Sequence, residues 1–382
     1  VGDPDQCIYS WRCATIANIL NFEKNFPATK IIFLEENYRS TQNILKAANA
    51  VIAKNIFRHK KNLFTLRPAG EKITLAETFD EKDEADFIVN KILNLRKKIP
   101  FEEIAVLYRT NWQSRILEEA FLEKNIPYEV VGLKFFARKE IKDVLSFLRA
   151  SLNPESLSDL KRIINLPPRG IGKVTILKIF AGKTKELTPA LQEKIKNFYA
   201  LLEEIKKFSE KHTPAEVIKF VLEESGLGNW LKEGNEEDLE RLENIKELVS
   251  LAKKYDEMPG LSGIQKLLEE ASLSLLEEAP ENKKGVKLMT IHAAKGLEFD
   301  AVFIVGLEED LFPHVKSDEG DLEEERRLFY VGLTRAKKLL FLSFAHSRTI
   351  FGSRKSNFPS RFIDDLPKNL VCHEQGKTLS LL

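Results

Sequence analysis

The chain has few cysteines, few methionines, no long apolar run and no charge imbalance, and each shortage removes a class of protein. Three cysteines among 382 residues, Cys7, Cys13 and Cys372, make an odd set with no Cys-x-x-Cys pair. That excludes a disulfide framework and a zinc ribbon. The six histidines are scattered, so a metal-free chain is expected. No apolar stretch approaches the roughly 18 residues needed to cross a bilayer, and no basic-then-apolar leader opens the sequence. A cytoplasmic location is therefore expected. Lys and Arg number 59 against 58 Asp and Glu, a net charge of +1. An anionic polymer would have to be gripped by local clusters, not by a global field. Abundant Lys and Glu beside scarce Met and Cys hint at a heat-adapted source.

A phosphate-binding P-loop is also lacking. The stretch AGKT at Ala181–Thr184 has Leu177 where the first glycine is needed, and GKT at Gly376–Thr378 has Val371 there. Neither follows a strand that would aim backbone N–H groups at a phosphate. DEAD at Asp83–Asp86 opens an amphipathic helix, where acidic residues simply favour the positive helix end.

What remains describes a globular chain, 43% hydrophobic and 31% charged, long enough for two or three domains. KIIFLEENYRS gives an apolar strand run, Ile31 to Leu34, and a polar turn. STQNILKAANAVIAKNIF then carries Ile44, Leu45, Ala48, Val51 and Ile52 at helical spacing, with Ser40 or Thr41 placed to cap it. KITLAETF and EIAVLYRT follow as strands, DEADFIVNKILNLRKK and QSRILEEAFLEKN as helices. This alternation predicts a parallel sheet with helices on its faces. From about Phe135 the period becomes helical, through RKEIKDVLSFLRASL, LKRIINL, VTILKIF, LQEKIKNFYALLEEIKKF, PAEVIKFVLEES and LERLENIKELVSLAKKY. Strand runs return at Val286–Ile291 and Ala301–Val305, then the helix EEERRLFYVGLTRAKK and the strand LLFLSF. The economical account is one α/β domain interrupted by an all-helical insertion of about 150 residues, an ordinary domain size. EEAPENKKG is the expected linker leading out of it.

Four segments are too polar for core. VGDPDQCIYSWRCA crowds Asp3, Asp5, Gln6, Tyr9, Trp11 and Arg12 together, as a functional loop leaving a strand would. LEENYRST puts Tyr38 and Arg39 just after a strand, where α/β sheets commonly bind ligands. TIHAAKGLEFD joins two strands through His292, Lys295, Gly296 and Glu298. RRLFYVGLTRAKK supplies Arg326, Arg327 and Arg335, the last of them late in a helical segment. Singly, each has a plain explanation as a surface ion pair, a helix-terminal Lys or a snorkelling Arg. Their order is the informative part.

In that order they resemble the C-terminal part of superfamily 1 DNA helicases of the UvrD/PcrA/Rep type. VGDPDQCIYSWRCA is similar to motif III, LEENYRST to motif IV, VKLMTIHAAKGLEFDAVFIVGLEEDLFPH to motif V and EEERRLFYVGLTRAKK to motif VI. LYRTNWQSRILEEAF and FFARKEIKDVLSFLRA also match in order, so the resemblance covers essentially the whole chain. Cys7 and Cys13 depart from it, standing where Ser and Gly are usual. The resemblance implies an α/β fold: a RecA-like second motor domain, of the P-loop NTPase fold, interrupted by an all-helical domain. Residues 1–30 would be the remnant of the first RecA-like domain and 31–134 the first part of the second. Residues 135–284 would be the inserted (2B-like) domain and 285–382 the second part of the motor domain.

The same resemblance implies residue roles. Gln6 would sense the γ-phosphate of ATP, with Arg39 and Arg335 clamping it as arginine fingers. Tyr38 would stack on the adenine and Glu298 accept from the ribose. Tyr9 and Trp11, beside Arg12, would sit against single-stranded DNA, where stacking is sequence-tolerant. Arg109, Asn111, Ser114 and Arg115 would hold phosphates or sugars of the tracked strand, and His292 and Lys295 would face the junction of DNA and nucleotide. LPPRGIGKVTI resembles the family's duplex-contacting GIG motif, with Arg169, Gly170, Gly172 and Lys173 against a phosphate. The implied activity is an ATP-driven 3′→5′ helicase or translocase working at single-strand/duplex junctions, nucleoid-associated, with repair or replication proteins as further partners. ATP would come with Mg²⁺, whose ligands, like the P-loop, belong to the N-terminal RecA-like half upstream of motif III. The chain by itself is accordingly expected not to hydrolyse ATP. The alternatives are a truncated DNA-binding or partner-binding module and, ranked lowest, a helicase–nuclease relative, since no nuclease carboxylate cluster is visible.

Overall fold

The computed structural model describes residues 1–10, 14–258, 260–276, 284–314 and 319–377. Trp11, Arg12 and Cys13, and most of the expected linker, lie outside the described residues. The chain forms two compact units. One comprises Val1–Gly132, Ala279–Arg348 and Lys355–Leu382, and the other Leu133–Glu278 with Thr349–Arg354.

The first unit is built on strands β1 (Ile73–Asp80), β2 (Ile104–Tyr108), β3 (Tyr128–Val130), β4 (Val286–Thr290), β5 (Phe299–Ile304), β6 (Ala336–Ile350), β7 (Ser353–Ser356) and β8 (Val371–Gln375). They run in the order β3-β4-β2-β5-β6-β1-β8, with β7 paired to β6. The pairings along that order are parallel. Successive side chains of a strand point to opposite faces, so a strand covered on both faces must be apolar at every position. In β2, Ala105 and Leu107 enter one core while Ile104, Val106 and Tyr108 enter the other. β5 divides likewise, Val302 and Ile304 against Ala301 and Phe303.

Helices α1 (Ala17–Leu20), α2 (Phe22–Asn25), α3 (Gln42–Ile52), α4 (Glu81–Leu95), α5 (Ser114–Glu123), α14 (Glu319–Leu333) and α15 (Arg361–Asp364) complete this unit. Ile44, Ala47, Ala48 and Val51 of α3 and Leu328, Phe329 and Val331 of α14 fill the core on one face of the sheet. Ala85, Ile88, Val89 and Ile92 of α4 and Leu117 and Phe121 of α5 fill the other. A side chain of Leu or Phe size buried this completely contributes about 1.5–3 kcal/mol.

Three expectations are corrected. The run Ile31–Leu34 forms no strand and is exposed, Ile32 at 72% and Leu34 at 77%. The ordered pairing near it is a single bridge between Glu36 and Phe64. An apolar run becomes a strand only where a neighbouring strand takes its backbone hydrogen bonds. Neither Ser40 nor Thr41 caps α3 through its side chain. The Ser40 hydroxyl instead donates to the Ala336 carbonyl at 2.7 Å, and Thr41 takes the N-cap position with its buried hydroxyl lacking a partner among the described residues. Arg335 lies two residues beyond the end of α14, in the turn into β6.

DEAD does fall at the start of α4, with Asp83 and Glu84 in its first turn, and Asp80 takes the capping position and accepts from the Lys82 and Asp83 amides. Glu84, however, is buried, paired with Arg348, which also donates to Glu308 at 2.6 and 2.7 Å. Burial pushes Glu308 up against the opposing pull of Arg348. It also works against the charge on Arg348, but Glu308 and Glu84 outweigh it and hold that guanidinium firmly protonated.

The second unit is helical: α6 (Lys139–Leu152), α7 (Leu157–Ile163), α8 (Lys173–Phe180), α9 (Pro189–Ser209), α10 (Pro214–Glu224), α11 (Leu227–Lys232), α12 (Glu236–Ala252) and α13 (Leu261–Leu276). Val144, Phe147 and Leu148 of α6 meet Phe198 and Leu202 of α9 and Ile218 and Val221 of α10 in its core. α10 starts with Pro214 at its first position and a reciprocal Thr213–Glu216 capping box, as its sequence dictates. Gly182, in the AGKT stretch, ends α8 in the left-handed conformation. A helix end, not a strand, therefore precedes that lysine.

Candidate functional site

β5 and β6 are adjacent and parallel, and the Phe299 amide donates to the Arg335 carbonyl at 3.0 Å. Whatever precedes each strand therefore meets at the same end of the sheet, the amino end. Glu298 precedes β5 and Arg335 precedes β6. The segment carrying Arg39 is fixed there by Ser40 on Ala336 and by the Thr41 amide on the Lys337 carbonyl at 3.2 Å. Sequence placed Tyr38 and Arg39 after a strand, at a carboxyl end. The structure puts them at the amino ends of β5 and β6, because the run before them is not a strand of this sheet.

Arg39 donates through Nε to Glu298 at 2.5 Å and through Nη1 to the Thr334 carbonyl at 3.3 Å. That bond from Arg39 holds the Glu298 carboxyl below its ordinary range. Arg335 is 2% exposed, and donates to the carbonyls of Val331 and Leu297 at 3.0 Å each and to the Thr334 hydroxyl at 3.1 Å. Burial, then the neighbouring Arg39, pull its pKa down to about 10. It remains charged at neutral pH. A guanidinium has five N–H donors, so among the described residues the Arg335 fork keeps uncommitted donors. Tyr38 stands 77% exposed beside this pair, its phenol donating to Glu36 at 2.8 Å, a contact that raises its pKa. Two guanidinium groups, one carboxylate and an exposed aromatic face thus converge, with a surplus of positive charge.

The opening loop belongs to the same unit. Ile8, fully buried, anchors it, and the Gln6 carboxamide donates to Asp3 at 2.8 Å. Lys295 donates to the Gln6 carbonyl at 2.9 Å and lies 5.1 Å from the Tyr9 ring centroid. The Tyr9 phenol donates to the His292 carbonyl at 3.0 Å. So Gln6, Tyr9, His292 and Lys295, distant in sequence, form one contiguous group. A single short loop carries both the Gln6 carboxamide and the Tyr9 ring.

The third group is at the carboxyl end of β2. Arg109 donates through Nε to both oxygens of Glu325, at 2.9 and 3.0 Å. Arg115 pairs with Glu119 one helical turn on, at 2.9 Å. Asn111 opens the short helical turn Asn111–Gln113, whose capping box ties Thr110 to Gln113. Ser114 is fully buried, its hydroxyl donating to Glu118 at 2.8 Å. This side chain braces the start of α5 from a buried position, where the sequence reading expected a contact with the tracked strand.

In the second unit the GIG loop divides into two kinds of residue. Asn165 accepts from the amides of Arg169 and Ile171 at 2.7 and 3.1 Å, folding the loop back before α8. Arg169 points inward. Its Nη1 donates to the Leu166 carbonyl at 2.5 Å, its Nη2 to the Ser225 carbonyl at 3.2 Å, and it lies 5.5 Å from the Phe198 ring centroid. Burial lowers its pKa. Its fork is thus engaged by carbonyl dipoles beside a ring face, where the sequence reading expected a charge facing a phosphate. Gly170, at φ +74, Gly172 and Lys173 are exposed, and a Cβ at Gly172 would meet nothing within 4 Å.

With this geometry established, similarity decides the family. Residues 32–347 match the UvrD-like helicase C-terminal domain family, and residues 1–27 the UvrD/REP helicase N-terminal domain family. The chain belongs to the UvrD-like helicases. The ATP-dependent DNA helicases PcrA of Staphylococcus epidermidis and Staphylococcus aureus are 44% and 43% identical to it over 99% of the chain. The chain spans about half the length, 55%, of these relatives. A solved C-terminal domain of a possible DNA helicase from Lactobacillus plantarum covers 88% of this chain and 98% of its own, at 11% identity and a TM-score of 0.36. That likeness is too slight to bear on the fold, which rests on the strand order.

Sequence reasoning missed the groups that hold this UvrD-like site in place. Glu324 accepts from the Ser10 amide at 3.1 Å, and Arg58 and Lys61 pair with Asp5 and Asp3, while Arg327, already singled out in the sequence, donates to the Cys7 carbonyl at 2.9 Å. The signal available was the acidic run Glu323–Glu325 just before Arg326 and Arg327, too charged on successive positions for an idle helix face.

Proposed function

We propose that this chain is the C-terminal motor and accessory region of an ATP-dependent 3′→5′ DNA helicase, working on single-stranded DNA and its junctions with duplex. The convergence of Arg39, Arg335 and Glu298 beside exposed Tyr38 at the amino ends of β5 and β6 supports this reading best. The residues fit one side of a nucleotide. Tyr38 offers a free ring face for a base, Glu298 an acceptor for a ribose hydroxyl, and the two arginines planar donors for phosphate oxygens. Among the described residues no group of three or more His, Cys, Asp and Glu is arranged to hold a metal ion. The Mg²⁺ ligands and the P-loop are assigned to an N-terminal RecA-like half. ATP bound there would supply a transferable phosphoryl group.

Magnitudes decide how the site changes when it is filled. The Arg39–Glu298 pair is half-exposed, and such surface pairs contribute only about 0–1 kcal/mol. Arg39 can therefore leave Glu298 for a polyanion at little cost, freeing the carboxylate for a ribose. Arg335 need not move, because its bonds to Val331 and Leu297 already fix the fork. It acts as a preorganised charge where negative charge develops. Loss of the γ-phosphate removes the differential contact that favours closure, as a nucleotide-driven switch requires. Gln6 and Tyr9, on one loop tied to Lys295, carry that change to the DNA-facing aromatic.

The experiment joins this chain to a P-loop domain and measures DNA-stimulated ATP hydrolysis with Arg39→Lys and Arg335→Lys. Full-speed turnover by the double variant refutes the reading. Unwinding of 3′-tailed but not 5′-tailed duplex checks the direction, and salt-dependent binding of tailed against blunt duplex checks the DNA-facing residues.

A further inference from the structure

Gln6 is held in place by residues far from it in sequence. The opening turn Pro4–Gln6 is closed by the Gln6 amide on the Asp3 carbonyl, the Cys7 amide on the Pro4 carbonyl and the Asp5 amide on the Asp3 carboxylate, at 3.1, 3.2 and 3.0 Å. A turn this short does not hold itself, since the conformational entropy lost in fixing each residue exceeds what one hydrogen bond returns. Something outside it must supply the order. Asp5 is 1% exposed and takes both prongs of Arg58, Nε at 3.1 Å and Nη2 at 2.8 Å, with Lys61 at 3.4 Å. Lys61 also donates to Asp3, the carboxylate whose second oxygen accepts from the Gln6 carboxamide. Arg58 further donates to the Lys61 carbonyl at 3.2 Å, fixing the two cations relative to one another. Their segment is held in turn by α14, with the Ile56 amide on Glu323 at 2.5 Å and the Asn55 carboxamide on the Glu323 carbonyl at 2.9 Å.

We propose that Arg58 and Lys61 are positioning residues for Gln6. Through the Asp5 and Asp3 carboxylates they hold the Gln6 side chain at the angle it needs to meet a nucleotide. A relay runs from α14, which leads to Arg335, through Glu323 to this clamp and on to Gln6. The inference rests on the reading of Gln6 as a γ-phosphate sensor. It adds that the sensor is aimed by two cations whose side chains are mostly buried against the Asp5 and Asp3 carboxylates. The Gln6 carboxamide is tied to one oxygen of Asp3 at 2.8 Å, and Lys61 on the other oxygen fixes that anchor.

Two measurements test this. In this chain, amide exchange at Asp5, Gln6 and Cys7 accelerates about tenfold or more in Lys61→Ala and Arg58→Lys and recovers in Lys61→Arg, because the turn opens locally. In a helicase where this chain follows a P-loop domain, Lys61→Ala lowers kcat for ATP about tenfold with KM nearly unchanged, as loss of a transition-state contact does. Added to Gln6→Ala, Lys61→Ala causes no further loss, whereas a merely structural role multiplies the two losses. Unchanged exchange in Lys61→Ala, or multiplicative losses in the double variant, overturns the proposal. Full turnover by Gln6→Ala overturns the sensor reading and the proposal together. A loss in Gln6→Ala with none in Lys61→Ala overturns the proposal alone.

Discussion

Arg335 in the sheet unit and Arg169 in the helical unit invite comparison. Both come from motif segments, both are largely withdrawn from solvent, and both donate to backbone carbonyls. Their company differs. Arg335 has a second guanidinium near enough to lower its pKa, and one half-exposed carboxylate shared between the two. Arg169 has burial alone as the cause of its shift, four carbonyl acceptors and a ring face. A surplus of like charge held in place is the mark of a site waiting for an anion. A half-buried charge whose fork is taken up by four carbonyls is a staple. Motif membership cannot separate these cases, but a donor-by-donor account can.

The comparison can be broken most forcefully at Arg335. In a helicase joined to a P-loop domain, Arg335→Ala is expected to lower DNA-stimulated ATP turnover by about 10³-fold or more. A loss under tenfold in steady-state hydrolysis would make Arg335 a staple too. Arg169→Ala should act on stability instead, lowering the urea unfolding free energy of the helical unit by about 2–4 kcal/mol through carbonyls left unpaired. If it spares stability and abolishes duplex binding, the two arginines change places. Lys173→Ala sharpens the contrast within the GIG loop. It should leave stability alone and reduce the salt slope of duplex binding by about one, as loss of a single phosphate contact does.

The smallest effect concerns Glu298. Its folded pKa is depressed by Arg39, so the pair's contribution is present above the ordinary carboxylate pKa and fades as pH falls through the lowered value. The melting difference between the parent chain and Glu298→Gln should therefore be small and positive at neutral pH and vanish in acid. A difference that persists at acid pH would show that the contact is not ionic.

Strands covered on both faces were legible in sequence because they must be apolar throughout, as in AVLY of β2 and AVFI of β5. The polar strands β7 (SRKS) and β8 (VCHEQ) carry no such pattern, and β8 pairs with β1, far off in sequence. Ile31–Leu34 failed for the opposite reason, having the pattern without a neighbour in this sheet. At the site, residue types and order pointed to the cluster, and Arg39, Glu298 and Arg335 do meet. Orientation was beyond reach. Nothing local says that Arg169 turns inward, because the Ser225 carbonyl it reaches is brought up by tertiary packing, and the Ser114–Glu118 contact, though one helical turn long, is sunk only by the packing around α5.

The Glu84–Arg348–Glu308 trio has a consequence for alignment. β6 is fifteen residues long and carries FLSFA in its middle, a run that could slide by two places beside β5 without exposing anything greasy. Sliding would bring His346 between two sunken glutamates and leave Arg348 with neither. The ions thus act as an index mark that rejects every frame of the strand but one.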